Sequence, residues 1–233
     1  MNMKEKSVEK IFSQVSKTYE CVNHVLTLGL DIIWRRRAAK QAACAGGKCW
    51  LDLCSGTGDM AVSLQRLAKE GTKVVAVDFC LAMLKEATSK PEAKEISFCL
   101  SNANSLPFLD NSFDLLTISF ATRNINAGGD ALLRYFQEFR RVIKPGGRFI
   151  ILETTQPRSK LFKWLFHLYI NLVVFPIGSL ISGSKEAYKY LAYTIPRFFT
   201  AEELSEILSK TGFAKVSFSY MSFGVCAIHT SIK

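Results

Sequence analysis

Cys49-Trp-Leu-Asp-Leu-Cys-Ser-Gly-Thr-Gly-Asp59 is a short apolar run that breaks into glycines and restarts as a helix. Gly56 and Gly58 allow a ligand to approach the backbone, and the helix that opens at Asp59 offers unpaired N–H groups. Asp78 ends the next apolar run, 22 residues after Gly56. An acid at that point can hold two ribose hydroxyls. The constellation is ambiguous as it stands, because Gly56-Thr-Gly58-Asp-Met-Ala61 also fits the dinucleotide fingerprint with its acid about 20 residues on.

Charge favours one of the two ligands. A dinucleotide would set a pyrophosphate between Asp52 and Asp59, where two carboxylates repel it. The ammonium and sulfonium of S-adenosylmethionine are attracted to the same place. The methyl donor is therefore the expected cofactor, and a dinucleotide, with a dehydrogenase around it, stays the alternative.

Outward from this loop, apolar runs alternate with helical patterns. The runs Cys49–Cys54, Lys73–Asp78, Ile96–Asn102, Phe113–Phe120 and Arg148–Glu153 are of strand length. They are almost continuously hydrophobic, as strands buried on both faces are. Asp59–Lys69, Leu81–Thr88 and Ala131–Arg141 carry apolar residues at helical spacing. Such alternation predicts an α/β fold with a parallel sheet and helices on both sides. Lys144-Pro-Gly-Gly147 is expected to end a helix and lead into a strand. Ala201–Ser209 reads as a helix with Glu202 and Glu203 in its first turn. Val216–Phe223 and Val225–Ile232 flank Gly224 and predict a closing antiparallel pair at one sheet edge.

The chain has 233 residues, 48% of them hydrophobic, and a net charge of +10. That excludes a disordered tail or a disulfide miniprotein and is the size of one embellished domain. The charge is localised. Residues 1–48 hold nine Lys/Arg against four acids and residues 156–200 six against one, while 49–155 and 201–233 are balanced. A basic excess of this kind favours an anionic partner. Seven cysteines without a CxxC pair and three scattered histidines predict reduced thiols and no metal site. The charged start MNMKEKSVEK has no apolar core of a leader, so the expected location is the cytoplasm or the cytoplasmic face of a membrane.

Leu161–Ile181 is almost wholly apolar, but Lys163, His167 and Asn171 interrupt it at four-residue spacing. That stripe argues against a lone spanning helix. It predicts a helix with one wet edge, serving as a lid or lying at a membrane interface.

Longer motifs add a resemblance. Val15-x-x-x-Tyr19-x-x-x-Asn23, Leu28-Gly29 and Trp34-Arg35 are similar to the N-terminal motif of the class I methyltransferases that methylate quinone rings in menaquinone and ubiquinone biosynthesis. Leu51–Asp59 resembles the donor loop of that family, and Asn102-Ala-Asn-Ser-Leu-Pro-Phe-Leu-Asp-Asn-Ser-Phe-Asp114 its third block. Thr117-Ile-Ser-Phe-Ala-Thr-Arg-Asn124 and Arg141-Val-Ile-Lys-Pro-Gly-Gly147 complete the set. Ala121 stands where the family usually has glycine, Glu20 and Val22 where it has aspartate and methionine, and Cys54 at the first glycine of the general loop.

The resemblance implies a Rossmann-like fold with a mostly parallel seven-stranded sheet, an antiparallel edge strand and helical cap segments. It implies one domain over 1–233: an N-terminal cap (1–48), a donor-binding core (49–155), an apolar and basic insertion (156–200) and a closing unit (201–233). Thr57, Asp78, Asn102, Ala103 and Ser119 match its donor-contacting positions, with Asp52, Gly56 and Gly58 in the loop. Arg123 and Asn124, past the fourth strand, are the expected catalytic pair: Arg123 to stabilise a developing quinolate or hold a water, Asn124 to orient the ring. Tyr19 and His24 are secondary candidates. Implied partners are a polyprenyl quinol and an anionic membrane surface, engaged through Arg35, Arg36, Arg37 and Lys160. No nucleic acid is expected: amino-group methyltransferases often place Asn/Asp-Pro-Pro-aromatic where this chain has Ser119-Phe-Ala-Thr122. A scaffold that binds the donor without turnover is a further rival, and nothing in the sequence fixes an oligomeric state.

Overall fold

All five apolar runs pair as strands in the computed structural model, which describes residues 3–126, 128 and 130–233. Residues 1 and 2 of the expected cap lie outside that description. The strands are β1 (Cys49–Leu53), β2 (Lys73–Asp78), β3 (Ile96–Leu100), β4 (Phe113–Ser119), β5 (Ile143–Thr154), β6 (Ala214–Met221) and β7 (Cys226–Ile232). Among the described residues they form one seven-stranded sheet in the order β3-β2-β1-β4-β5-β7-β6. The first five pair in parallel. β7 runs antiparallel to both β5 and β6, so the closing pair sits at the β5 edge with β6 outermost.

The helices are α1 (Met3–Val15), α2 (Tyr19–Thr27), α3 (Leu30–Ala43), α4 (Asp59–Gln65), α5 (Leu81–Thr88), α6 (Thr122–Ile125), α7 (Ala131–Val142), α8 (Lys160–Tyr169), α9 (Phe175–Ser182), α10 (Lys185–Thr194) and α11 (Ala201–Lys210). On one face of the sheet, Phe136 and Phe139 of α7 and Leu204 and Leu208 of α11 pack on Leu51, Leu116 and Phe149. On the other, Trp34, Ala38 and Ala42 of α3 and Met60 and Leu64 of α4 cover Trp50, Leu115 and Ile150. Burying large side chains on both sides stabilises each by roughly 1.5–3 kcal/mol. A third apolar cluster lies off the sheet. Val15, Val22 and Leu26 from the N-terminal helices meet Ile170, Val174 and Tyr188 from the 156–200 segment. The two basic segments thus pack on each other.

Three local expectations shift. α4 ends at Gln65 rather than Lys69. Lys144–Gly147 does not separate helix from strand: β5 starts at Ile143 opposite Phe113 and resumes at Arg148 opposite Leu115, so these residues form a bulge. A Cβ on Gly147 would stand 2.6 Å from Ile143 Cγ2 and 3.0 Å from the Asp114 carbonyl oxygen, which is why glycine holds that place. The β6–β7 turn is a short 3-10 segment, Ser222–Gly224, with Phe223 at φ 57°.

Lys160–Ser182 is one continuous helical rod, joined by a π turn at Ile170–Val174. At 23 residues it is long and apolar enough to cross a membrane. One edge is committed to the protein, however. Ile170, Val174 and Gly178 are buried, and a Cβ on Gly178 would lie 2.1 Å from the Tyr188 ring. His167 is half-buried and contacts Gln156 Oε1 at 2.8 Å through Nε2, while Lys163 and Asn171 are exposed. The expected wet edge is therefore anchored at its middle residue.

Past β4, α6 is fastened to β5 by a buried ion pair. Arg123 Nη1 donates to Glu153 Oε1 at 3.0 Å and to Thr154 Oγ1 at 3.1 Å, and the Arg123 amide donates to Glu153 Oε2. Both side chains are almost wholly buried. Arg123→Met leaves Glu153 charged and unpaired, so urea denaturation should show a loss of about 3–5 kcal/mol. Adding Glu153→Gln should recover most of it.

Candidate active site

The donor loop takes its shape from backbone that only a few residues tolerate. Cys54, Gly56 and Gly58 have φ of 50°, 55° and 80°. Cys54 carries a Cβ in the left-handed region, at a cost of about 1–3 kcal/mol. Glycine would hold this backbone without that cost. One carboxylate holds the turn: Asp78 Oδ2 accepts from the Gly56 amide and Oδ1 from the Cys80 amide, both at 2.8 Å. The Ser55 amide donates to the Val77 carbonyl at 2.9 Å. The loops after β1 and β2 are thereby tied together.

Beyond them, at the carboxyl ends of β1, β2 and β4, a cavity of about 430 Å³ opens. This is the crevice where ligands of such sheets bind. Gly56, Thr57 and Asp78 line one part of it, Asn102 and Ala103 another, and Ser119 and Asn124 a third. Other wall residues include Tyr19, a secondary candidate from the sequence, and Arg35, expected instead on the membrane-facing surface, whereas Val8, Phe12 and Phe120 were not singled out. Val8 and Phe12 of α1, Tyr19 of α2 and Arg35 of α3 form a wall from the N-terminal helices, and Phe120 adds an aromatic face beside Arg35.

Five expectations need correction. Asp52 is fully buried one layer behind the cavity, where Thr117 Oγ1 donates to its Oδ1 at 2.7 Å. Gly58 is also off the wall, and its would-be Cβ lies 3.0 Å from Ala87 Cβ, so it serves the packing of α4 on α5. Arg123 points into the Glu153 pair and not into the cavity, because the buried carboxylate offers it a partner that solvent does not. Arg35 is buried rather than outward-facing, held by Asp31 and by the ring of Phe120. His24 is likewise off the wall, with Nδ1 2.9 Å from Asp31 Oδ2.

The electrostatics also differ from the simple picture of two free carboxylates. Asp59 lies on the wall but is paired with Lys90, and Arg35 Nη2 stands 3.8 Å from its Oδ2. Burial pushes the Asp52 carboxyl up to about 7, against the pull of the Thr117 hydrogen bond and the Arg35 charge, and Asp78 adds to the rise. Burial likewise raises Asp78 to about 6, although three backbone N–H groups oppose it. Burial also raises Tyr19. The carboxylates that remain for a cationic ligand are thus deep, poorly solvated ones, where a nearby positive charge counts most.

The groups fit S-adenosylmethionine. Asp78 lines the cavity with its carboxylate turned by the Gly56 and Cys80 amides, where an acid can accept ribose hydroxyls. A Cβ on Gly56 would meet nothing within 4 Å, which leaves open space beside the loop. Asp52 Oδ2 and Ser55 Oγ are buried without a partner, so polar capacity remains next to that space. Among the described residues no group of acids, cysteines and histidines could hold a metal ion.

The raised carboxyls have a consequence for stability. An acid whose native pKa lies above its unfolded value favours the fold while protonated, and that contribution is lost as pH rises through the native pKa. For Asp52 the window runs from about 4 to about 7. Asp52→Asn should therefore melt higher than the unmodified protein at pH 8, by a margin that shrinks towards zero near pH 4. Melting curves by circular dichroism without ligand across that range check it.

Comparison with known proteins agrees with this architecture. A Thermotoga maritima methyltransferase structure superposes with a TM-score of 0.64 at 18% identity, covering 96% of this chain and 98% of that one. An Aquifex aeolicus SAM-dependent methyltransferase gives 0.58 at 19%, over 84% and 88%. These establish the fold. In sequence, the demethylmenaquinone methyltransferase of Thermus thermophilus is 38% identical over 94% of this chain and 98% of its own. The ubiquinone/menaquinone biosynthesis C-methyltransferase of a Marinomonas species is 32% identical over 99% and 92%. The family model described as the ubiE/COQ5 methyltransferase family matches residues 1–233, and the chain belongs to that family of enzymes.

Proposed function

We propose that the protein moves a methyl group from S-adenosylmethionine to a ring carbon of a polyprenyl quinol, with demethylmenaquinol as the substrate. The observation that carries this reading is the full-length likeness to relatives named for that substrate, joined to a cavity whose wall is the donor loop on one side and the family-like Ser119–Asn124 stretch on the other. The Marinomonas and Shewanella relatives bear names that cover ubiquinone as well, so a benzoquinol is the second substrate to test.

The bound donor supplies a methyl carbon on a positive sulfur, open to direct displacement. The chain supplies alignment and a dry site. Asp78 accepts the ribose hydroxyls, Asn102 bonds the adenine edge and Ala103 leaves space for the ring. Gly56, Thr57 and Ser119 set the close backbone and the methyl end. Asp52 acts from behind, as a buried carboxyl whose charge the donor's cation favours. Asn124 faces the cavity, with its Oδ1 receiving the Tyr190 hydroxyl at 3.3 Å, and orients the quinol ring. Arg123 is a positioning residue for that loop through Glu153. No side chain needs to form a covalent bond to substrate.

A quinol with a prenyl tail lives in a bilayer, and the outer surface suits one. Leu161, Trp164, Leu165, Leu168 and Leu172 are exposed along α8 and the π turn, opposite the buried Ile170–Val174 edge. Phe162 stacks on Phe223, which is 78% exposed, and Trp34 Nε1 donates to Ser222 at 3.0 Å, bringing α3 and its exposed Ile33 alongside. Arg36, Arg37, Lys40, Lys160 and Lys163 are exposed on the same segments. An apolar face with basic neighbours is the signature of a helix lying in an anionic interface. The protein on this reading is cytoplasmic and peripheral, with 1–48 and 156–200 as its membrane-facing cap.

Incubation with labelled S-adenosylmethionine and a short-chain demethylmenaquinol in anionic vesicles should yield the methylated quinol. Donor binding without transfer to either the naphthoquinol or the benzoquinol would refute the substrate. In flotation with vesicles containing phosphatidylglycerol, Leu165→Glu with Leu172→Glu should abolish association, and Arg36→Gln with Arg37→Gln should make it weaker and less salt-sensitive. Unchanged flotation of both variants would overturn the membrane assignment.

A further inference from the structure

Methylating a quinol ring calls for a positive charge near the oxygen whose electrons drive the attack, and Arg123 is paired with Glu153 and does not line the cavity. Two other arginines line the cavity. Arg134 is an exposed residue of α7 on the wall with Tyr135. Arg35 is buried, and its guanidinium lies 5.2 Å above the ring of Phe120, the residue that follows β4 and stands beside Ser119 and Asn124.

Arg35 is held with unusual thoroughness. Its Nη1 donates to Asp31, one turn back on α3. Asp31 is itself buried and receives Thr27 Oγ1 at 2.7 Å and His24 Nδ1 at 2.9 Å. Burial works to raise the Asp31 carboxyl, yet the Thr27 bond and the Arg35 charge hold it below its ordinary range. On the cavity side, Arg35 Nη2 faces Asp59 at 3.8 Å, too far for a hydrogen bond. The closer partner of Asp59 is Lys90, which also binds Glu20 Oε2 at 2.8 Å. Glu20 Oε1 closes the circuit at 3.5 Å from His24 Nε2. The negative charge of Asp59 is thus largely taken by Lys90, and that of Asp31 lies behind the guanidinium. The donors of Arg35 that Asp31 does not use are left for the cavity.

We propose that Arg35 is the cation that stabilises the phenolate-like oxygen of the quinol during methyl transfer. The proposal rests on the quinol reading above. In the step, the quinol hydroxyl releases its proton to water and the oxygen's electron pair feeds the ring. The ring carbon then bonds the methyl carbon, and the carbon–sulfur bond breaks with its pair going to sulfur. The dienone so formed loses its ring proton, its oxygen takes up a proton, and one proton is released overall. A guanidinium fixed before the reaction needs no reorganisation as negative charge grows on that oxygen. Besides Asp31, Asp59, His24, Glu20 and Lys90, the titratable groups that feel its charge are Tyr19 of α2, Asp52 of β1 and Cys226 of β7.

The test reads the oxygen's ionisation directly. 3-Geranyl-1-naphthol keeps the hydroxyl ortho to the carbon that takes the methyl group, lacks the second hydroxyl that would allow oxidation, and changes its absorbance on losing the proton. With the protein saturated by S-adenosylhomocysteine, its bound ionisation should fall by about one pH unit or more against the same compound in detergent. Arg35→Gln should return it towards the detergent value while calorimetric affinity for S-adenosylhomocysteine changes less than about threefold, and Arg35→Lys should restore part of the depression. With demethylmenaquinol, Arg35→Gln should lower kcat about a hundredfold at pH 7 with a smaller change in KM. Its pH–rate profile should move to the alkaline side. An undepressed ionisation in the unmodified protein overturns the proposal whether or not any variant folds, as does a folded Arg35→Gln protein with unmoved ionisation and pH profile. If the unmodified protein methylates neither quinol, the substrate reading fails by itself, because the naphthol measurement does not depend on turnover.

Discussion

Everything in the site hangs on one buried carboxylate accepting two backbone amides. Asp78 takes the Gly56 N–H on one oxygen and the Cys80 N–H on the other, so the ends of β1 and β2 cannot separate. That pair of bonds holds Cys54, Gly56 and Gly58 in left-handed backbone, which relaxed chains avoid. With the turn fixed, Asp59, the first residue of α4, stands where cations from other elements can reach it. The raised pKa of Asp78 is the cost of placing an acid so deep. A ligand that brings hydroxyls to the remaining lone pairs of Asp78 offsets part of that cost.

The carboxylates of this chain divide by what neutralises them. Asp59 was read from sequence as free charge for the donor's sulfonium, but distance decides otherwise, because Lys90 reaches it from the turn after α5. Lys90 is 31 residues away in sequence, and nothing in the local pattern announces the contact. Asp52 has no cationic contact; burial has already half-discharged it near neutral pH. The argument from charge reached the right cofactor class although Lys90 takes up the charge of Asp59 and Asp52 lies behind the cavity wall.

Legibility followed the range of the interaction. The strands and their helices were readable because hydrophobic period is local, and the β6–β7 pair because Gly224 marks its turn. Lys144–Gly147 was misplaced because proline and glycine punctuate a bulge as readily as a helix end, and only the pairing with Phe113 and Leu115 tells them apart. At the site, Gly56, Thr57, Asp78, Asn102, Ala103, Ser119 and Asn124 reach the wall since each lies at or just past a strand end. Arg123 does not, because Glu153, 30 residues on, captures it. Arg35 was missed for the opposite reason. Within Trp34-Arg-Arg-Arg37 the three arginines look alike, and only the helical phase separates them. Asp31 four residues earlier was the available signal, since i,i+4 acid–base pairs share a helix face.

That phase has a mechanical implication. Successive residues on α3 point about 100° apart. Arg35 therefore turns inward to the cavity with Trp34 buried beside it, while Arg36, Arg37 and Ile33 face out on the surface assigned to the membrane. α2 divides in the same way, with Tyr19 on the cavity wall and Leu28 just beyond the helix end, 86% exposed. One pair of short helices carries both the proposed charge-stabilising residue and the proposed lipid contact. The ion-pair circuit from Asp31 through Arg35, Asp59, Lys90, Glu20 and His24 is what joins that pair to the donor loop.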